Sequence, residues 1–382
     1  MVKKNILFLM GTYPSYGGVE IVSTVLANQF IKDGHQVTIA SYKQPLKDAV
    51  PLNLSEKCNL LYLSTPVFSI KNIKKLREYI QSHKVEVLIN QWVVPFYATL
   101  VWKIATCGTN CKVYSVHHNP PDTNMRIQAL KKLVEDGKSY LKGLYSLVRE
   151  ISRLSLKFCI NSSYKFIVLS PSFIPVAQAF SGVLEKDKFL AISNPNSVPG
   201  GDKEVTKEKE ILYVGRIEYN QKRTDRVIDI WKELEPLNPD WKLTIVGDGD
   251  DREDLQNRID EYGLKNVAII GFVNPLEYYR RASILLLTSE YEGFGLVIVE
   301  AMSNGVVPVV YNSFESANDL ITDGYNGVLQ EKPFSISDFT RKVQELMNKP
   351  DYLNELSKNS RTVSDDYSID KIAEKWYKLT DN

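Results

Sequence analysis

Short apolar runs alternate with amphipathic stretches from one end of the chain to the other. Residues 6–10 form the first run; a helical pattern over 19–32, Gly34 and a second run at 36–41 follow. Ile70, Ile73, Leu76 and Ile80 recur at helical spacing, and runs at 85–90, 112–116, 166–169 and 189–192 continue the series. Each run is short, continuous and rich in Val, Ile and Leu, as strands are when helices cover both faces of a sheet. Alternation of this kind predicts parallel βα units.

The rhythm breaks between Asn194 and Glu210, where Pro195, Pro199, Gly200 and Gly201 precede a mixed-charge run. An interdomain linker is expected there. Beyond it the alternation restarts, with strands at 211–214, 243–246, 267–270, 284–287 and 307–310 and helices over 225–234 and from near Gly295. The expected fold class is therefore α/β, with two doubly wound, Rossmann-like domains facing each other. Their ligands belong at the carboxyl ends of the strands and in the cleft between the domains. A length of 382 residues fits two cores better than one.

Composition narrows this little. The net charge is +1, so no global field points to nucleic acid, and none is expected as a partner. Cys58, Cys107, Cys111 and Cys159 complete no zinc pattern and read as buried reduced thiols. The apolar run at 6–10 is followed by Gly11, Tyr13, Pro14 and Ser15 without a cleavage pattern, and no run of eighteen apolar residues exists. A cytoplasmic chain is expected.

The chemistry concentrates at strand ends. Ser289-Glu290-Tyr291-Glu292-Gly293-Phe294-Gly295-Leu296 joins a strand to a helix. The unpaired N–H groups of that helix start, bared by Gly293 and Gly295, suit a diphosphate. Carboxylates at its mouth suit hydroxyls, so one is assigned to a ribose and one to a sugar. A capped turn with solvated glutamates is the alternative. Arg216 and Lys222, after the strand at 211–214, offer cations to the same crevice, or else form a solvated basic loop. Gly17-Gly18-Val19-Glu20 opens the first helix but does not fit a dinucleotide fingerprint. His117 and His118 close the strand at 112–116; a His there is expected to face the cleft, or else the pair is a metal fragment or an ordinary strand end. Gly247-Asp248-Gly249-Asp250-Asp251 invites a metal reading, but capping of the next helix is preferred.

Together these segments resemble the retaining glycosyltransferases of family 4, over nearly the whole chain. The features that carry the resemblance are the Gly-Gly turn, the Gly-Arg…Lys segment, the Val-Gly-x-Gly turn, the spaced pair Glu292 and Glu300, and the closing stretch from Tyr367 to Trp376. The resemblance implies a GT-B fold with domains at 1–195 (acceptor side) and 211–365 (nucleotide-sugar side), a linker at 196–210, and a C-terminal helix, 366–382, crossing back to the first domain. It implies a retaining, metal-independent hexosyltransferase with no cofactor. The donor is a nucleotide-diphosphate sugar, with UDP-sugar expected, and the acceptor a glycan or lipid-linked saccharide in bacterial surface polysaccharide assembly. Arg216, Lys222 and the backbone of Phe294, Gly295 and Leu296 would hold the diphosphate. Glu300 would hold the ribose, Glu292 would lie beside the sugar, and Val273 beside the uracil. Gly17 and Gly18 would approach the donor and acceptor from the other domain, and His117 is preferred over His118 near the reacting sugar. Arg223 departs from the family, where many members carry Gly. A UDP-sugar epimerase of the same architecture and a non-catalytic partner subunit are the alternatives.

One segment extends the partner list. Residues 126–157 interleave Lys131, Lys132, Lys138, Lys142, Arg149 and Arg153 with leucines. Either this surface makes peripheral contact with anionic lipid on the inner face of the cell membrane, or it is a helix packed on the sheet with solvated lysines.

Overall fold

A computed structural model describes residues 3–15, 17–45, 53–201 and 206–380. It divides into two compact units, residues 1–195 with 369–382, and residues 196–368.

The first unit runs β1 (Asn5–Thr12), α1 (Gly18–Lys32), β2 (Gln36–Lys43), β3 (Asn59–Tyr62), α2 (Ile70–Ser82), β4 (Val87–Asn90), α3 (Phe96–Thr106), β5 (Lys112–His117), α4 (Met125–Glu135), α5 (Lys142–Ser162), β6 (Lys165–Val168), α6 (Phe173–Ser181) and β7 (Phe189–Ala191). Its strands pair in the order β3-β2-β1-β4-β5-β6-β7, all parallel. Successive strand residues point to opposite faces. Leu7 and Leu9 join Leu76, Trp102, Ile160 and Phe173 in one core under α2, α3, α5 and α6. Phe8, between them, stacks on Phe30 of α1.

The second unit runs β8 (Glu210–Val214), α7 (Thr224–Leu234), β9 (Lys242–Val246), α8 (Arg252–Glu261), β10 (Val267–Gly271), α9 (Leu276–Arg281), β11 (Ile284–Leu287), α10 (Leu296–Ser303), β12 (Val307–Tyr311), α11 (Ser316–Leu320), β13 (Val328–Gln330), α12 (Ile336–Asn348) and α13 (Pro350–Ser364). The parallel order β10-β9-β8-β11-β12-β13 repeats the plan of the first sheet. Ile211 and Tyr213 face a core with Trp231, Leu255 and Phe339, while Leu212 faces another with Tyr279 and Ala301. Both sheets are thus covered on both sides, and each reverses strand order beside its first strand, where α/β folds place ligands.

The last helix, α14 (Ile369–Thr380), belongs to the first unit. It buries Ile372, Ala373 and Trp376, and the Tyr377 hydroxyl donates to Asp33 at 2.5 Å. The Phe30 and Tyr377 rings lie 5.4 Å apart, so α14 shares with α1 the face opposite α2 and α3.

Several segments differ from the sequence reading. β3 and β13 carry no clear strand signal; both are edge strands of three or four residues. In the stretch read as a linker, residues 202–205 lie outside the described residues. Its described ends pack on the second unit: Asn196 donates to the Tyr367 carbonyl, and Glu210 is a buried strand residue paired with Arg281 at 2.7 Å. The four cysteines are free thiols, but only Cys159 is buried: Cys58 and Cys111 are half-buried, and Cys107, which follows the end of α3, is exposed.

Candidate functional site

In the second unit the loops after β8 and β11 leave adjacent strands and are fastened together. The Glu290 amide donates to the Gln221 carbonyl at 2.7 Å, the Gln221 side-chain amide to the Tyr291 carbonyl at 3.2 Å, and the Thr288 hydroxyl to the Arg223 carbonyl at 2.9 Å. Across this seam Lys222 Nζ meets Glu292 Oε1 at 2.7 Å, and Ser289 also donates to Glu292. Lys222 keeps 21% of its side chain exposed against 9% for Glu292. Arg216 projects from the same loop, exposed and without an ion pair among the described residues.

The Gly-x-Gly turn after β9 explains how the Arg216 loop is held. A Cβ on Gly247 would overlap the Gly215 carbonyl, and one on Gly249 the Ile217 carbonyl. Only glycines let the two backbones approach, and Ile217 then donates to the Asp248 carbonyl at 3.0 Å. The expected side-chain cap is absent: Asp248 instead accepts from Gly249 N–H and pairs with Arg252, and Asp251 accepts from Tyr219 N–H at 2.7 Å. Among the described residues no group of three or more His, Cys, Asp or Glu could hold a metal ion.

Gly295 caps α10 at φ 83°, a left-handed value that glycine adopts without strain, and its carbonyl accepts from Ile298 N–H. Phe294 thus leads into Gly295 and Leu296, which open the helix, where the first N–H groups have no partner within it. Gly293 and Phe294 form the bend leading in, with Phe294 buried against Tyr367. One turn along α10, Glu300 is buried and accepts from the hydroxyls of Ser197 and, at 2.8 Å, Tyr279. Burial raises its carboxyl above the usual range, and those hydroxyls oppose the shift. Phe272 and Val273, just after β10, are both exposed.

Arg223 takes the left-handed conformation at φ 51°, which costs a non-glycine residue roughly 1–2 kcal/mol. Its guanidinium grips Asp225 at 2.8 Å and Glu290 at 2.9 Å, and Glu290 also meets the buried Arg226 at 2.5 Å. Where the family pattern has glycine, a side-chain network holds the turn here.

The first unit places its expected residues differently. Gly17 caps α1 and a Cβ there would overlap the Glu20 carboxylate, whereas Gly18 is open. His117 does not face outward. Its ring is buried near Phe166 and Phe180 and lines a small internal cavity, and burial lowers it to about 4. Strand alternation turns its neighbour the other way, so His118 Nε2 meets Gln91 Oε1 at 2.5 Å, on the loop after β4. Burial and the adjacent His117 lower His118 to about 3.

Two parallel-sheet, Rossmann-like domains, the second with cations and a bare helix start at its switch point, define the architecture called GT-B. The sequence model for Glycosyltransferase Family 4 matches residues 16–186, and that for Glycosyl transferases group 1 matches residues 201–363. The chain belongs to this glycosyltransferase family. It is 28% identical to an uncharacterized glycosyltransferase of Haemophilus influenzae over 98% of this chain and 99% of the relative. It is 26% identical, over 98% of both chains, to a Campylobacter jejuni alpha-1,4-N-acetyl-D-galactosaminyltransferase whose name includes GalNAc-alpha-(1->4)-GalNAc-alpha-(1->3)-diNAcBac-PP-undecaprenol. Among solved structures, S. aureus TarM in complex with fondaparinux, alpha-GlcNAc-glycerol and UDP superimposes with a TM-score of 0.76 at 15% identity, covering 99% of this chain and all of that one, a likeness of fold.

Proposed function

We propose that this protein is a retaining, metal-independent glycosyltransferase that moves a hexose from a UDP-sugar to a glycan or lipid-linked saccharide in bacterial surface polysaccharide assembly. The observation that carries the reading is the Lys222–Glu292 pair set beside the exposed Arg216 and the bare start of α10. A donor diphosphate would draw Lys222 from Glu292 and take Arg216 and the N–H groups of Phe294, Gly295 and Leu296 as its other partners. Glu292, relieved of its cation, would accept from hydroxyls of the transferred sugar. Glu300 would accept from the ribose, its position fixed by Tyr279 and Ser197, and Val273 would border the uracil. The relatives support UDP and a lipid-linked acceptor: TarM is solved with UDP, and the Campylobacter enzyme's name contains an undecaprenol-linked glycan.

Retention follows from a front-face displacement. The acceptor oxygen bonds to C1 on the face from which the phosphate oxygen departs, and the acceptor proton passes to that phosphate oxygen. Catalysis then lies in stabilising the departing diphosphate. The alpha linkage in the Campylobacter enzyme's name agrees with retention from an alpha donor. Of the two histidines, His118 is the one available to a bound sugar, since His117 is enclosed.

The acceptor side has its own observation. On α5, Leu144, Leu147, Ile151 and Leu154 are exposed in one stripe, with Leu147 at 56% and Ile151 at 55%, while Leu156, Cys159 and Ile160 face the core. Eight basic and three acidic residues lie within 126–157 of a chain whose net charge is +1. A leucine stripe bordered by lysines suits peripheral contact with an anionic bilayer. No described helix is long and apolar enough to cross one.

Incubation with UDP-hexoses separates the rival activities. Slow release of UDP, accelerated by a saccharide acceptor, is expected; conversion of one UDP-hexose into another without acceptor would make the protein an epimerase. Binding without either reaction would make it a non-catalytic subunit.

A further inference from the structure

We propose that the small cavity beside the end of β5 is a binding site for one water molecule, held between His117 Nε2 and the Thr123 hydroxyl, and that this water fastens the loop between β5 and α4. The site stands on the first unit alone and needs neither donor nor acceptor.

β5 ends at His117, and residues 118–124 lead from there to α4. The imidazole is 4% exposed, with the Phe166 ring 6.0 Å away. Val94, Ile127, Leu156 and Phe180 give the cavity apolar walls, while His117, Thr123 and Ser152 bring polar side chains to it. Its volume is about 10 Å³, room for a single water and for nothing larger.

Two of those polar groups have nothing in the protein to bond. Among the described residues neither His117 Nε2 nor Thr123 Oγ1 has a hydrogen-bond partner, and both atoms are shut from solvent. Buried polar atoms are satisfied by protein or by ordered water in the great majority of cases. Burial lowers His117 to about 4, so at neutral pH the ring carries one donor and one acceptor nitrogen. Water can meet either, and the Thr123 hydroxyl likewise. Ser152 of α5 supplies a third partner: its oxygen accepts from the Asn124 side-chain amide at 3.2 Å, which leaves its O–H as a donor. About three partners are usual for a buried water.

Direct bonds hold these groups around the cavity. Thr123 N–H donates to the Pro120 carbonyl at 3.2 Å, and that carbonyl also acts on the His117 ring. Asn124 caps α4, its side-chain oxygen accepting from the N–H groups of Arg126 and Ile127. The water would therefore join the end of β5, the loop and α5 where their own polar atoms do not meet. His118 opens that loop and pairs with Gln91. His117 is thus a positioning residue, acting through the water on the loop that presents its neighbour.

The test needs no substrate, so failure of the proposed activity leaves it intact. A crystal structure of the full chain that resolves ordered waters is expected to show one about 3 Å from both His117 Nε2 and Thr123 Oγ1. Water magnetic relaxation dispersion is expected to count one long-lived water fewer in Thr123→Val, which keeps the shape and removes the hydroxyl. In that variant amide hydrogen exchange over 118–124 should rise about tenfold, with β8 and β9 unchanged. A protein group bonded directly to Nε2, or no water at this point, would overturn the site, as would an unchanged water count in Thr123→Val. Unchanged exchange over the loop would overturn the fastening role. The native crystal structure decides the first question even if the variant fails to fold.

Discussion

The two switch points of this molecule share a strand order and differ in everything placed upon it. Beside β8 and β11 stand Arg216, Lys222 and Glu292 with a bare helix start. Beside β1 and β4 stand Trp92, Gln91 and Glu20, with one lysine, and the helix start carries its own carboxylate. Topology therefore fixes where each domain presents a ligand, and the side chains at the strand ends decide what that ligand is. On the proposed function, the cations and N–H groups of the second suit an anion, whereas the mixed carboxylate, amide and lysine of the first do not.

The largest expected break in that contrast is Lys222→Ala. Removing one stabiliser of developing charge typically costs ~2.7–4 kcal/mol, so transfer should fall roughly a hundred- to a thousandfold in a steady-state assay. Near-normal transfer would remove Lys222 from the second site. Next comes the first unit's buried imidazole. His117 is lowered from 6.5 to about 4, so the native state favours its neutral form. That contribution is complete above the unfolded value and is lost as pH falls from about 6.5 through 4, amounting to at most ~3 kcal/mol. His118, also lowered, adds with the same sign. Denaturant unfolding at pH 7, 5.5 and 4 should show this decline, and His117→Gln should flatten it.

A smaller effect separates the two ways of holding the turn after β8. Arg223→Gly loses the ion pairs to Asp225 and Glu290 but relieves the left-handed backbone, whereas Arg223→Ala loses the pairs and keeps the strain. The alanine variant should be the less stable by ~1 kcal/mol in urea, and equal stability would mean that the conformation carries no cost. The smallest effect is on the α5 stripe. Flotation with vesicles containing anionic lipid should recover the native protein at low salt, and less of it at high salt. Leu147→Asp with Ile151→Asp should abolish recovery, and an unchanged yield would restore the reading of a helix with merely solvated lysines.

The contrast also explains what the sequence reveals. The second site is legible because its parts lie in two contiguous segments, 215–222 and 289–300, each a strand end running into a helix. The first switch point is not, because Gly11, Lys43 and Trp92, which line it, come from three separate strand ends and form no motif. Most strands stand out as apolar runs, the short edge strand β7 among them, whereas the edge strands β3 and β13 do not. His117 and His118 are adjacent in sequence, and only strand alternation, fixed by where β5 ends, tells which ring is enclosed. Arg223 reads as a departure from the family pattern; its partner Glu290, 67 positions away, appears only once the two loops are brought together.

The measurement that tests the central claim most directly is thermal unfolding with UDP, GDP, ADP, UDP-sugars and NAD, without added metal, on the native protein and Lys222→Ala. A ligand at a hundred times its dissociation constant stabilises by ~2.7 kcal/mol, a readily seen shift. The account predicts that UDP or a UDP-sugar raises the midpoint of the native protein and that Lys222→Ala loses most of that shift. A shift with NAD alone, or a UDP shift indifferent to Lys222, would contradict it.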